Sequence, residues 1–303
     1  MNEERKKQTR QRDLERISKL RLLDDIFMKT VLKDNVEGVQ DIIRVILKRD
    51  DITVLEVRTQ DEWPNLVGHS VRLDVTARDS AGKWYNIEIE RSSGSGAIAK
   101  RARYHVGALD WNILPAGAEY SELPEVFIIF ITEKDVLGHG LPIYTINRTV
   151  AETGEPFPDF AHILYVNAQY EADDPLGRLM ADFREADPKK MNFTSLSNKA
   201  AFYKTTEGGV TAMCQIMEEV RQEGWSIGHQ EGHREGRREG RREGRREGRT
   251  EERNQMILGL LKYNTASSLL HDVQFKGLAI TQKEIDSVQY ERGTEETDKT
   301  AGS

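Results

Sequence analysis

Three acidic side chains, Asp74, Glu88 and Glu90, stand in two short segments whose apolar and polar residues alternate. In Val71-Arg-Leu-Asp-Val-Thr-Ala-Arg78, the residues Val71, Leu73, Val75 and Ala77 share one parity, and Arg72, Asp74, Thr76 and Arg78 the other. In Trp84-Tyr-Asn-Ile-Glu-Ile-Glu90, Tyr85, Ile87 and Ile89 alternate with Asn86, Glu88 and Glu90. Period-two alternation predicts two strands, with the acids on the polar face of each. Asp79-Ser-Ala-Gly82 between them is turn chemistry. A five-residue connection, 79–83, sets Arg78 opposite Trp84 and Asp74 opposite Glu88, whereas a four-residue one turns Asp74 toward Ile87. In the first register the two carboxylates stand about 5 Å apart at Cβ. Like charges that close raise each other's pKa unless a cation intervenes. Oxygen ligands suit Mg²⁺ or Mn²⁺, which also grip phosphate oxygens and activate water. Pattern alone leaves a second reading equally open, an exposed hairpin whose acids merely alternate.

The surrounding elements form an α/β order with a mixed sheet. Ile26, Val31, Val39, Ile42, Ile43 and Ile46 recur at helical spacing across 22–47, with a break at Asp34-Asn35. A short strand is expected over 52–57 and a loop over 61–70. Ile98, Ala102, Val106, Leu109 and Ile113 mark a helix face, and Val126 to Ile131 reads as a buried central strand. Short strands are expected at 143–146 and 163–166, and helices from Pro175 onward.

That order, with the acids inside it, resembles the PD-(D/E)XK nuclease superfamily. More closely it is similar to the Rpn-type PD-(D/E)XK family, which also carries a transposase label. The likeness covers roughly 20–225. It runs through Leu23-Asp-Asp-Ile-Phe-Met28, Val71-Arg-Leu-Asp74 and Tyr85-Asn-Ile-Glu-Ile-Glu-Arg91. It continues in Lys100-Arg-Ala-Arg-Tyr104, Leu123-Pro-Glu-Val-Phe-Ile-Ile-Phe-Ile-Thr-Glu133 and Gly140-Leu-Pro-Ile-Tyr144. The resemblance implies a restriction-endonuclease-like core of helix, three strands, helix and strand. It implies a Mg²⁺- or Mn²⁺-dependent endonuclease acting on DNA, with a link to recombination or transposition. Asp74 and Glu88 become the metal ligands with the main-chain carbonyl of Ile89, and Arg101, Arg103 and Arg91 the DNA-binding residues. Glu90 departs from the pattern, where the family has Gln and the superfamily often Lys. A glutamate there accepts a proton from water or binds a second ion, and predicts a steeper divalent-ion requirement. The rival from another class is a catalytically silent nuclease fold that binds nucleic acid or protein. Asp24 is a further acid, or the N-cap of the first helix.

The rest of the 303-residue chain bounds these readings. A single cysteine, Cys214, excludes a disulfide framework and a multi-cysteine zinc site, and fits a reducing, cytoplasmic setting. No apolar run approaches membrane-spanning length, so no membrane association is expected. There is no Gly-x-x-x-x-Gly-Lys phosphate loop. The net charge is −7, but residues 1–21 carry +4 and residues 228–253 carry +2, leaving −13 elsewhere, so phosphate binding must use local patches. The expected divisions are a charged segment 1–21, a nuclease-like core 22–170, a helical extension 171–227, a repeat arm 228–253, a small helical appendage 254–290 and a disordered tail 291–303. The C-terminal helical region is the expected surface for self-association. In the arm, glycine recurs at 228, 232, 236, 240, 244 and 248. A period of four drifts about 40° per repeat on an α-helix, so no fixed face is expected, and a solvated arm or linker is the plainer reading. His229 and His233 read as drift of the repeat.

Overall fold

The computed structural model describes residues 3–63, 71–91 and 95–289. Three helices lead: α1 (Glu3–Lys19), α2 (Asp25–Leu32) and α3 (Val36–Leu47). The break between α2 and α3 falls where Asp34 takes a positive φ of 53° and Asn35 caps α3, its side-chain oxygen accepting the Gly38 N–H at 3.0 Å. Three antiparallel strands follow, β1 (Val54–Trp63), β2 (Val71–Asp79) and β3 (Trp84–Glu90), and then α4 (Ser95–Ile113). The remaining strands are β4 (Val126–Thr132), β5 (Ile143–Ile146) and β6 (Ala161–Asn167). The sheet order is β1-β2-β3-β4-β6-β5, with β3, β4 and β6 parallel and β5 antiparallel to β6. This is an α/β layered domain with a six-stranded mixed sheet. β1 runs six residues beyond the short strand expected at 52–57, because residues 58–63 keep pairing with β2; the 61–63 part of the expected loop is strand, and 64–70 lie outside the described residues.

Every residue of β4 is buried, as its unbroken apolar run requires of a strand covered on both faces. Phe127, Ile129 and Ile131 face a core built with α2, α3, α5 (Pro175–Arg184) and α6 (Thr194–Thr205); Val126, Ile128 and Phe130 face α4 through Ile98, Ala102, Val106 and Leu109. Each such side chain contributes about 1.5–3 kcal/mol by leaving water. The expected divisions at 21 and 170 are not packing boundaries. Ile17 of α1 and Leu179, Met180 and Phe183 of α5 belong to the same core as Ile129, and the first compact unit spans 1–219. Charge counts along 1–21 conceal Ile17 and Leu14, apolar residues that pack α1 against this core.

The second unit, 220–303, holds most of α7 (Glu207–Leu261). Residues 228–252 are exposed along one continuous helix. The eight arginines from Arg234 to Arg249 line one shallow surface together with His229, Gln230 and His233. The repeat as a whole drifts around the helix, yet within this span the drift stays small enough for the arginines to share one side. Ile257 of α7 packs with Leu269 of α8 (Ala266–His271), Ile280, Ile285 and Val288 in a small core of its own. The tail 291–303 lies outside the described residues.

Candidate active site

The site begins with a turn. Asp79 accepts the Ala81 and Lys83 N–H groups on Oδ1, both at 2.9 Å, and the Tyr85 hydroxyl on Oδ2 at 2.8 Å. Gly82 follows at φ +81°, a conformation that favours glycine. Asp79 and Lys83 close the turn through their backbones at 3.1 Å. This fixes the register: Arg78 pairs with Trp84, Ala77 with Tyr85, Thr76 with Asn86 and Val75 with Ile87. The ladder ends there, and the next step of the same count would set Asp74 across from Glu88.

At that step side chains take over from the ladder. The Asp74 amide donates to Glu88 Oε1 at 2.9 Å, and the Ile89 amide to Asp74 Oδ2 at 3.4 Å. Strict alternation also fails here. Val75 and Ala77 pack with α2 and α3, whereas Leu73 packs with Ile98, Ala102 and Phe130 against α4. The expectation that Val71–Arg78 alternates cleanly is therefore corrected between Leu73 and Val75. Sequence parity assumes that ladder bonds continue along the strand, and here the β2–β3 pairing stops at Val75 while Glu88 takes the Asp74 amide by its side chain. The acids do not lie on an exposed polar face either: Asp74, Glu88 and Glu90 are 8%, 5% and 6% exposed.

Each acid has a different neighbour. Lys29 on α2 places its ammonium 2.6 Å from Asp74 Oδ1 and 2.8 Å from Asp25 Oδ2. Glu88 accepts the Asn86 side-chain amide at 2.9 Å, and His105 Nδ1 lies 3.7 Å from the same oxygen and 3.2 Å from Asn86 Oδ1. Because Asn86 Nδ2 is already donating, its oxygen faces His105, and the Nδ1–H tautomer follows from the network. Glu90 meets Arg101 at 2.6 Å, whose guanidinium lies 5.1 Å from the centre of the Phe130 ring.

The electrostatics follow from burial. Glu88 is pushed up to about 8, by burial first and the neighbouring Asp74 charge second. Burial also raises Asp74 above the usual carboxylate range although Lys29 opposes it. Burial pushes Lys29 down, and the two carboxylates beside it more than reverse that, so it remains an ammonium. Burial and then Arg101 bring His105 down to about 4, leaving a neutral imidazole. Among the described residues no group of three or more His, Cys, Asp and Glu side chains is arranged to hold a metal. Two buried carboxylates with raised pKa values fit one hard divalent ion that keeps several waters.

The other expected residues divide. Arg101 reaches the acids. Arg103, exposed and two residues further along α4, does not share its face. Arg91 pairs with Asp24 at 2.9 Å and with Glu133 at 3.1 Å. Asp24 stands at the N-cap position of α2, but its side chain makes no cap bond; it accepts the Arg21 N–H at 2.8 Å and stays outside the acidic group. Three contributors carried no pattern signal of their own: Lys29, Asn86 and His105. Lys29 stood one residue beyond the Leu23–Met28 segment, and Asn86 shared the parity of Glu88 and Glu90.

No helix among the described residues is long and apolar enough to cross a membrane. Comparison of the chain with family models, with curated proteins and with solved structures returns no match.

Proposed function

We propose that the chain is a Mg²⁺- or Mn²⁺-dependent endonuclease that hydrolyses phosphodiester bonds in DNA, of the restriction-endonuclease-like kind that recombination and transposition draw on. The observation that carries this reading is the junction of β2 and β3, where Asp74 and Glu88 are hydrogen-bonded, buried and both raised in pKa. Asp74, Glu88 and the Ile89 carbonyl would hold the ion. Such an ion polarises a phosphodiester oxygen and makes hydroxide available near neutral pH. Asn86 orients Glu88, and His105 braces Asn86 from α4. Arg101 keeps donors to spare beyond its contact with Glu90 and can grip a phosphate by two parallel hydrogen bonds. Glu90 held by Arg101 is a base kept in place for a water proton rather than a free negative charge facing the substrate.

A second reading has its own observation. Asp74 is engaged by Lys29 and Glu90 by Arg101, as in a nuclease fold that has replaced metal by fixed cations and works as a binding module. Plasmid DNA with Mg²⁺ or Mn²⁺ separates the two. Cleavage by the wild type, lost in Asp74→Ala and Glu88→Gln, supports the enzyme. No cleavage with either ion, while all three proteins bind DNA, supports the binding module and rejects the nuclease.

A further inference from the structure

The geometry points to the arginine side of α7 as a docking surface for the phosphate backbone of duplex DNA, separate from the acidic site. On a helix that turns about 100° per residue, the eight arginines from Arg234 to Arg249 fall within an arc of about 180°. Glu239, Glu243 and Glu247 fall on the opposite half, and Glu235 falls near one edge of the arc. The arc is about 22 Å long at 1.5 Å per residue. Its members line one surface, and the whole of 228–252 is exposed. Between Arg234 and Arg249 eight arginines face four glutamates, a local +4 in a chain of net −7.

Two features select the occupant. Residues 228–253 contain nine arginines and no lysine, and the guanidinium fork matches phosphate oxygens two at a time where an ammonium acts as a point charge. The stretch 228–252 holds no aliphatic residue and no Phe, Tyr or Trp. A protein partner, or a second copy of this helix, needs apolar anchors at the centre of its interface. A nucleic-acid interface is polar and strongly basic instead. A bare helix about 10–12 Å across also fits the roughly 12 Å major groove of B-form DNA. The glycines keep the helix slender and weaken it, at about 1 kcal/mol each against alanine, so polyanion binding would also order the arm.

The test uses the full chain and a fluorescein-labelled 30-base-pair DNA duplex in EDTA, with anisotropy read from 50 to 300 mM KCl. Without divalent ion the chemistry at Asp74 and Glu88 plays no part, so this result and the cleavage result fail independently. Each phosphate contact adds about −0.9 to the slope of log K against log salt. The variant R237Q/R241Q/R245Q/R249Q should lose roughly three and a half units of that slope and on the order of 100-fold in affinity at 100 mM KCl. R237K/R241K/R245K/R249K should keep most of the slope, which separates lost contacts from lost helicity. E239Q/E243Q/E247Q, which adds the same sign of charge on the other half, should leave the slope unchanged. A wild-type slope carried through the glutamine-for-arginine variant overturns the proposal. Tighter binding to poly-glutamate or to an RNA duplex than to the DNA overturns it as well.

Discussion

Substituting Glu88 by glutamine should make the metal-free protein more stable above neutral pH, although a carboxylate is removed from a hydrogen-bonded site. Glu88 lies at about 8 in the folded chain against an ordinary 4.5. A folded-state value above the unfolded one gives stability that is complete below about 4.5 and is lost as pH rises through about 8. At about 1.4 kcal/mol for each tenfold change in proton affinity, the full loss is on the order of 5 kcal/mol. Water entry and small rearrangements screen buried charge, so roughly half of that is the expected observable. Glutamine keeps an oxygen for the Asp74 amide and carries no charge to bury. The assay is guanidinium unfolding in EDTA at pH 5 and pH 8.5, read by pulsed amide exchange on peptides covering 71–91. Reading β2 and β3 alone isolates the first unit from the second. The stability difference between variant and wild type should grow by about 2–3 kcal/mol in the variant's favour between the two pH values. Mg²⁺ at pH 8.5 should reverse it by stabilising only the wild type. An equal difference at both pH values would refute the assignment of a displaced proton to Glu88.

Replacing Lys29 by methionine leaves Asp74 buried beside Glu88 without its ammonium, and should cost on the order of 3 kcal/mol in denaturant unfolding. Adding Asp74→Asn should recover most of that loss; a purely additive double mutant would show that the pair is not coupled. At Gly177 a Cβ would meet the Ala172 carbonyl oxygen at 2.0 Å and its nitrogen at 2.7 Å, both backbone atoms that cannot step aside. Gly177→Ala should therefore force open the turn that Asp174 caps at the start of α5 and destabilise the first unit by about 3 kcal/mol, whereas a change below 1 kcal/mol would contradict that packing.

The hairpin shows how far local pattern reaches. Alternation, turn residues and the count from Asp79 to Lys83 narrowed the register to two, and the structure has the five-residue connection that pairs Arg78 with Trp84. The choice was that narrow because a short connection has few solutions, and Gly82 admits one with positive φ. The same alternation misplaced Leu73, since parity carries no information about where side chains displace ladder bonds. Likewise the stretch from Pro175 onward was read as helical, but not as part of the sheet's own core. Amphipathic spacing shows that a helix has an apolar face and is silent about which surface covers it.

By itself the sequence determined the α/β order, the helix break at Asp34-Asn35, the fully buried β4 and the presence of three acids on adjacent strands. These follow from period, turn chemistry and composition, which act over a few residues. Only the tertiary structure decided the acids' counter-charges, Lys29 from α2 and Arg101 from α4, and the burial that lifts Glu88 toward neutrality. Those partners lie 45 residues from Asp74 and 11 from Glu90 along the chain. Charge interactions depend on distance in space and on the exclusion of water, and neither exists until the helices close over the sheet.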